Sequence, residues 1–194
     1  MDEKISLAQV TALVVDSDQY STAIVGQILR GFGLTNHKIV EDGERAKQSL
    51  MHSHHDLMIC EAMLQDMPAS DLVRWTRQLP DLQVKRISIV VMTGETQAST
   101  IIAVRDSGAN SIIRKPVAPN VLFDHIMRSV KSERPFIETD TYIGPCRRFK
   151  NLGPPGGVGR RKTDLSLEVG AASQPNMSQE EIDALLRPTK LAID

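Results

Sequence analysis

The sequence predicts an α/β fold, a doubly wound parallel sheet of the (βα)5 type that fills about residues 8–132. Short apolar runs rich in β-branched residues alternate with stretches of helical spacing, in the order strand then helix, five times over. The strand runs are apolar on both faces. This is typical of strands buried between two helical layers, because each right-handed crossover places a helix on one face of the sheet.

The five predicted strands are recognised by their content of Val, Ile, Leu and Met, and the second is the weakest of them. They span residues 11–15, 38–40, 56–60, 87–92 and 111–113. The five helices that follow them carry apolar side chains at helical spacing, so that each helix has one face for the sheet. These side chains are Ile24, Ile28 and Leu29; Ala46 and Leu50; Leu72, Val73 and Leu79; Ile101, Ile102 and Val104; and Val121, Leu122, Ile126 and Val130.

The segment after the fifth helix has a different composition. Glycine and proline recur between residues 144 and 159, where they disfavour helices and central strands, so residues 133–177 are predicted to form a flexible linker. Between residues 146 and 162 the linker carries a local charge of +6 and no acid. The basic residues are Arg147, Arg148, Lys150, Arg160, Arg161 and Lys162. Such a stretch either keeps a linker soluble or docks on a polyanion.

The last predicted element is a short amphipathic helix over residues 178–187. Ser178 and Glu181 have the spacing of a capping box, which marks the start of a helix. Ile182, Leu185 and Leu186 fall on one face, as expected of a helix that lies in an apolar groove.

The composition excludes several classes of protein. With 23 basic and 24 acidic residues among 194, the formal net charge is −1, which disfavours a surface attracted as a whole to nucleic acid or anionic membrane. Cys60 and Cys146 are too few and too far apart for a disulfide framework or a zinc pair, which favours a reducing cytoplasm. No signal peptide is recognisable and no apolar run reaches the roughly 18 residues that span a bilayer, so we expect a cytoplasmic protein.

Acids, a hydroxyl and a lysine come directly after four of the predicted strands. They are Asp16, Ser17 and Asp18 after the first strand, Glu61 after the third, Thr93 after the fourth and Lys115 after the fifth. Because ligands of open parallel sheets gather at the carboxyl ends of the strands, these side chains are expected to form one site.

The identity and spacing of these residues resemble those of the phosphorylation site in bacterial two-component receiver domains, which have a flavodoxin-like (βα)5 fold. The resemblance covers about 125 residues. Val14-Val15-Asp16-Ser17 is similar to the VVDD signature of the family. Glu61 stands at the phosphoacceptor position, Thr93 at the Thr/Ser position and Lys115-Pro116 at the Lys-Pro pair. The resemblance implies a carboxylate that accepts a phosphoryl group from a histidine kinase, Mg²⁺ held by acids, and a lysine and a hydroxyl that bind the phosphoryl oxygens.

Three residues depart from that pattern. Glu61 replaces Asp and adds about 1.5 Å of reach, in a kind of site where about 1 Å of misplacement can cost about 100-fold in rate. Ser17 replaces the second acid, so the implied metal ligands are reduced to Asp16 and Asp18, and we expect weak Mg²⁺ binding or no cofactor. Glu61 can instead reach Lys115 and imitate part of the phosphorylated state. Ile112 stands at the aromatic switch position, where it cannot hydrogen-bond, so no rotameric aromatic signal is expected.

Two parts of the tail also resemble known sequences. Residues 134–148 are similar to an RPF…YxGPDRR extension that follows some alphaproteobacterial receivers, with Cys146 in place of the Asp. Residues 177–186 resemble the N-terminal LSQxEIDALL segment by which the flagellar motor switch protein binds the activated chemotaxis regulator. The second resemblance implies a ligand for the face formed by the fourth helix, fifth strand and fifth helix of a receiver, in this molecule or another. Its implied partner-binding residues are Ser178, Glu181, Ile182, Leu185 and Leu186.

The sequence is therefore interpreted as an atypical response regulator receiver, not an enzyme, that acts by protein contact in phosphorelay signalling, with chemotaxis or motility as the implied setting. Its expected partners are a histidine kinase, another receiver or a flagellar motor switch component, and no small-molecule substrate is expected. Two alternatives stay open. One is a receiver that is still phosphorylated at low efficiency, and the other is a scaffold whose basic tail binds nucleic acid or anionic membrane. The sequence does not determine the oligomeric state.

Overall fold

A computed structural model describes residues 7–131, 134–147 and 178–186. Its centre is a parallel sheet with the strand order β2-β1-β3-β4-β5. The strands are β1 (Ala12–Val15), β2 (His37–Val40), β3 (Leu57–Glu61), β4 (Ser88–Thr93) and β5 (Ser111–Arg114). The predicted (βα)5 sheet is confirmed, and the order of strands reverses between β1 and β3.

Seven helices lie in the described residues, two more than the five expected for the sheet. They are α1 (Gln19–Gly31), α2 (Gly43–His52), α3 (Ala69–Gln78), α4 (Leu82–Lys85), α5 (Ala98–Asp106), α6 (Pro119–Val130) and α7 (Gln179–Leu186). Three helices begin after an aspartate whose side chain accepts backbone N–H groups of the first turn: α1 after Asp18, α2 after Asp42 and α4 after Asp81. The fourth and fifth helices predicted for the sheet are therefore α5 and α6, and the four-residue α4 was not predicted.

The core has one hydrophobic cluster on each face of the sheet. All four residues of β1 are fully buried: Leu13 and Val15 belong to the cluster beneath α2, α3 and α5, and Ala12 and Val14 to the cluster beneath α1 and α6. Alternating strand residues point to opposite faces, so a strand without any polar position requires cover on both sides. This burial holds the carboxyl end of β1, and with it the candidate site, in a fixed place.

The prediction of a flexible linker over residues 133–177 is wrong for residues 136–145. These residues form an antiparallel hairpin of β6 (Phe136–Thr139) and β7 (Tyr142–Pro145). Gly144 and Pro145 disfavour central strands, but a two-stranded ribbon has no central strand, and Gly144 allows β7 to approach Gly108 closely. The basic residues beyond Arg147, and the rest of the predicted linker, lie outside the described residues.

The hairpin packs on a buried arginine at the end of α3. Arg77 is 1% exposed, and its guanidinium donates to the carbonyl oxygens of Lys85, Ile87 and Gly108. The ring of Phe136 in β6 lies 5.6 Å from this guanidinium. Arg77 therefore ties α4 and the loops before β4 and β5 to the hairpin, at the edge of the sheet opposite the strand carboxyl ends.

None of the helices in the described residues is long and apolar enough to cross a membrane.

Candidate functional site

The carboxyl ends of the strands bring together the side chains singled out in the sequence. Asp16 follows the last residue of β1, Glu61 is the last residue of β3, Thr93 ends β4 and Lys115 follows β5. Parallel register aligns these strand ends, since Val15 pairs with Cys60 and Glu61 pairs with Met92. The fold thus places two carboxylates, a hydroxyl and an ammonium at one edge of the sheet.

An ammonium group held by two carboxylates forms the centre of the site. Lys115 Nζ lies 2.8 Å from Asp16 Oδ2 and also forms an ion pair with Glu61 Oε2. Asp16 is 3% exposed, whereas the side chains of Glu61 and Lys115 are 19% and 23% exposed. Burial of this extent excludes much of the water that screens a surface ion pair, so Lys115 balances two nearby negative charges at close range.

Asp16 uses both of its carboxylate oxygens. Oδ2 also accepts a hydrogen bond from the Ser21 hydroxyl at 2.7 Å, and Oδ1 accepts one from the backbone N–H of Asp18 at 2.9 Å. Burial raises the pKa of Asp16, but the hydrogen bonds from Lys115, Ser21 and Asp18 outweigh it and hold the pKa below its usual value. Asp16 is therefore a carboxylate at neutral pH.

Lys115 shows the opposite balance. Burial lowers its pKa, but hydrogen bonds and charge interactions with Asp16 and Glu61 outweigh that effect and raise the pKa above its usual value. Lys115 is thus a fixed cation under all physiological conditions.

Glu61 reaches Lys115 because its chain is one methylene longer than that of an aspartate. Its second oxygen, Oε1, accepts the backbone N–H of Ala62 at 3.0 Å. The carboxylate at the phosphoacceptor position is therefore held at both oxygens, by the ammonium of Lys115 and by the backbone N–H of Ala62.

The two residues after Asp16 do not add a carboxylate to this centre. Asp18 is exposed, and its Oδ1 accepts the backbone N–H of Tyr20 at the start of α1. Ser17 carries no charge. Among the described residues, no three His, Cys, Asp or Glu side chains converge in a way that could hold a metal ion. Both oxygens of Asp16 are already bound to N–H and O–H donors, whereas Mg²⁺ needs several free oxygen ligands.

Thr93 is near this centre but bonds elsewhere. Its hydroxyl donates to the carbonyl oxygen of Glu95 at 2.6 Å and accepts the N–H of Glu95 at 3.1 Å. The side chain is 1% exposed, so this hydroxyl stabilises the loop after β4.

The C-terminal helix α7 lies against the outer edge of β5. The Gln179 side chain accepts the backbone N–H of Arg114 at 2.7 Å and donates to the carbonyl oxygen of Ile112 at 3.3 Å. One amide side chain therefore pairs with a donor and an acceptor of the edge strand, as a neighbouring strand would. Sequence reasoning did not identify Gln179 as a contact residue, although it matches the glutamine of the LSQxEIDALL segment.

Apolar burial accompanies these hydrogen bonds. Ile182 is fully buried in the core cluster that contains Ile112, Ile101 and Val104. Ile112, at the switch position, is itself 1% exposed. The side chains of Leu185 and Leu186 lie outside the described residues.

Ser178 and Glu181 start α7. The Ser178 N–H donates to Glu181 Oε2 at 2.7 Å, and the Glu181 N–H donates to Ser178 Oγ at 3.3 Å, which confirms the predicted capping box. Both residues are exposed and contact each other, so they act in the helix start, and the described contacts with β5 come from Gln179 and Ile182.

Comparisons with known proteins agree with this geometry. A family model described as the response regulator receiver domain matches residues 12–127. A chemotaxis protein CheY of Pseudomonas aeruginosa is 28% identical over 114 residues, which cover 59% of this chain and 90% of the relative. The chemotaxis protein CheY-3 of Vibrio cholerae is 28% identical over 104 residues, 54% of this chain and 78% of the relative. The crystal structure of the chemotaxis response regulator CheY4 of Vibrio cholerae has the same fold, with a TM-score of 0.56 at 22% identity over 62% of this chain and 98% of that chain.

Proposed function

The chain belongs to the response regulator receiver domain family, and we propose that it is an atypical member that signals by protein contact without normal phosphorylation at Glu61. The family match makes it a receiver domain of two-component signalling. Its similarity to chemotaxis proteins supports chemotaxis or motility as the setting, with signalling proteins as partners.

The observation that carries the proposal is the ion pair between Glu61 and Lys115. In a phosphorylated receiver the lysine would bind an oxygen of the new phosphoryl group. Here the lysine is held by the protein's own longer carboxylate and by Asp16, so its charge is already balanced. A phosphoryl group could bind Lys115 only after Glu61 has left it.

The hydrogen-bond donors around Asp16 also support the proposal, because they leave few oxygen ligands for a metal ion. Attack on a phosphoryl group needs a cation that neutralises its developing negative charge. Ser17 supplies no carboxylate, Asp16 is fully hydrogen-bonded, and Asp18 caps α1. We therefore expect Mg²⁺ to bind weakly or not at all, and the acceptor carboxylate to lack metal assistance.

The first experiment incubates the full chain with acetyl phosphate and Mg²⁺ and follows its intact mass and its hydroxylamine sensitivity. We expect no modification of the natural chain, a weak signal for Glu61→Asp or Ser17→Asp alone, and clear phosphorylation of the double variant. Thr11→Ser, a hydroxyl change at the other end of β1, is the control and should behave as the natural chain does. Stoichiometric, hydroxylamine-sensitive phosphate on Glu61 of the natural chain would overturn the proposal and favour a receiver that is still phosphorylated.

The position of α7 supports a second part of the proposal. Gln179 and Ile182 dock α7 on β5, and Ile182 packs in the same core cluster as Ile101 and Val104 of α5. We expect this helix to be an exchangeable ligand of that face, which a helix of similar chemistry from a partner protein can replace. A helix of eight residues is marginal by itself, so we expect an exchange of partners to require little free energy.

A further inference from the structure

We propose that the cleft between the end of α5 and the β6–β7 hairpin binds a phosphate monoester group. Arg105, Asn110, Arg134, Tyr142 and Arg147 are among the residues that line it. Its volume is about 20 Å³, enough for one or two oxygen atoms and open on one side for the remainder of a ligand. The cleft lies at the edge of the sheet opposite Glu61, and this proposal does not depend on the proposed function.

Two of the arginines that line the cleft share a single carboxylate oxygen among the described residues. Arg105 Nε and Arg147 NH1 both bind the same oxygen of Asp106, Oδ1, at 2.9 Å and 3.0 Å. Arg134 NH2 donates to the carbonyl oxygen of Asn110 at 3.0 Å. Two guanidinium groups that share one carboxylate oxygen leave N–H donors and positive charge over on this wall of the cleft.

A fourth arginine adds positive charge behind this wall. Arg77 NH2 donates to Asn110 Oδ1 at 2.8 Å, and Asn110 lines the cleft. The other three bonds of the Arg77 guanidinium go to carbonyl oxygens, so all its described acceptors are neutral. Burial lowers the pKa of Arg77 to about 10, which still leaves it protonated at neutral pH. A buried cation without a carboxylate partner makes an anion in the neighbouring cleft more favourable.

The charge and shape of the cleft favour a phosphate over other anions. Planar guanidinium groups bind two oxygens of a phosphate or carboxylate at once. A phosphate monoester carries close to two negative charges at pH 7, and thus matches the excess of positive charge better than a carboxylate does. Arg147 stands at the mouth with its guanidinium 4.1 Å from the centre of the Tyr142 ring, where it can contact both the phosphate and the group attached to it.

The experiment titrates inorganic phosphate into the full chain at constant ionic strength set with chloride, followed by calorimetry and by thermal unfolding. We expect saturable binding with a Kd at or below a few millimolar, and a rise in Tm that chloride alone does not produce. Arg147→Gln should weaken binding at least tenfold. Arg45→Gln removes a different surface arginine, 59% exposed on α2, and should leave the affinity unchanged. Arg160→Gln is a second control, which separates the cleft from the basic sequence beyond it.

A further variant separates a change in phosphate affinity from a change in the stability of the fold. Asp106→Asn removes the carboxylate that occupies Arg105 and Arg147, so it should tighten phosphate binding several-fold even if it lowers Tm. A merely structural role for these arginines would give no tightening.

Tighter binding of AMP than of inorganic phosphate would identify a nucleotide as the source of the group, and tighter binding of a phosphoserine peptide would identify a phosphorylated side chain. Failure of all three probes to bind, or equal binding to natural chain and Arg147→Gln, overturns the proposal.

Discussion

Glu61 has one methylene more than the aspartate that receiver domains use, and this extra length determines which groups its carboxylate contacts. The longer side chain brings Oε2 to Lys115 while Oε1 keeps the N–H of Ala62. Lys115 is therefore the cation on which both carboxylates depend. If its charge is removed, Asp16 and Glu61 face each other at close range in a partly dry site.

Replacing Lys115 with Met keeps the aliphatic part of the side chain and removes the ammonium. We expect a loss of about 2–4 kcal/mol in the free energy of unfolding, because removal of one partner of a mostly buried ion pair leaves uncompensated charge. Urea denaturation at pH 7 measures it. Lys131→Met, at an exposed position after α6, is the matched control and should change the free energy by less than about 0.5 kcal/mol. Equal effects in the two variants would contradict the central role of Lys115.

Stability at acid pH should report on Asp16. Because its pKa is lower in the folded state than in the unfolded chain, the stabilisation is complete above the unfolded value of about 3.9 and is lost as pH falls through the lower folded value. We expect the free energy of unfolding to fall between about pH 4 and pH 2, and Asp16→Asn to fall less steeply there while starting from a lower value at pH 7. Identical slopes for both chains over this range would show that the Asp16 pKa is not lowered.

At the scale of elements, the hairpin depends on close contact between two glycines. Gly108 has φ of 101°, a conformation that side chains rarely adopt, and a Cβ there would clash with the carbonyl oxygen of Ile143 in β7. Gly108→Ala should therefore cost about 2–4 kcal/mol and increase hydrogen exchange in β6 and β7. Gly31→Ala is the control, since a Cβ at the end of α1 meets nothing within 4 Å. A hairpin that stays equally protected in Gly108→Ala would contradict the close packing of β7 on Gly108.

The hairpin also shows where sequence patterns stop being informative. Four of the five sheet strands were predictable because their side chains are apolar on both faces, whereas β2 has a weaker pattern in which only Val40 is buried. The ends of those four strands located Asp16, Glu61, Thr93 and Lys115. The hairpin has a weak pattern, and its position depends on Arg77, which forms its bonds with carbonyl groups far along the chain. A buried arginine looks like any surface arginine in a sequence. For the same reason Gln179 was missed, because its partners are backbone groups that have no sequence signature.

The contact between α7 and β5 can be tested one side chain at a time. Gln179→Ala removes the two bonds to the strand edge, worth about 0.5–1.5 kcal/mol each, and should release α7 without unfolding the sheet. Hydrogen exchange of the Arg114 N–H, which Gln179 covers, measures the release. Glu180→Ala, an exposed neighbour in the same turn, should leave that exchange unchanged. Unchanged protection in Gln179→Ala would show that β5 does not depend on this side chain.

At the scale of the whole molecule, α7 occupies the face at β5 that a partner helix would bind. A partner helix therefore competes with α7 of the same chain. A tethered segment acts at an effective concentration of about millimolar, and even a weak contact is then mostly formed. Burial of Ile182 contributes about 1.5–3 kcal/mol before the cost of ordering the helix, which gives a contact that a partner can displace. Removing the tether should thus expose the site to helices in solution.

A labelled peptide of residues 174–190 should bind a chain that ends at Arg147 with a Kd between about 10 μM and 1 mM, because the docking site is free and the peptide must pay for its own ordering. The full chain should bind the same peptide at least tenfold more weakly, since its own α7 competes for the site. Ile182→Asp in the peptide should abolish binding, because it would place a charge in the apolar core cluster, whereas Glu180→Gln should not change it. If the shortened chain, shown by circular dichroism to be folded, does not bind below about 1 mM, α7 is held by its tether alone and is not an exchangeable ligand.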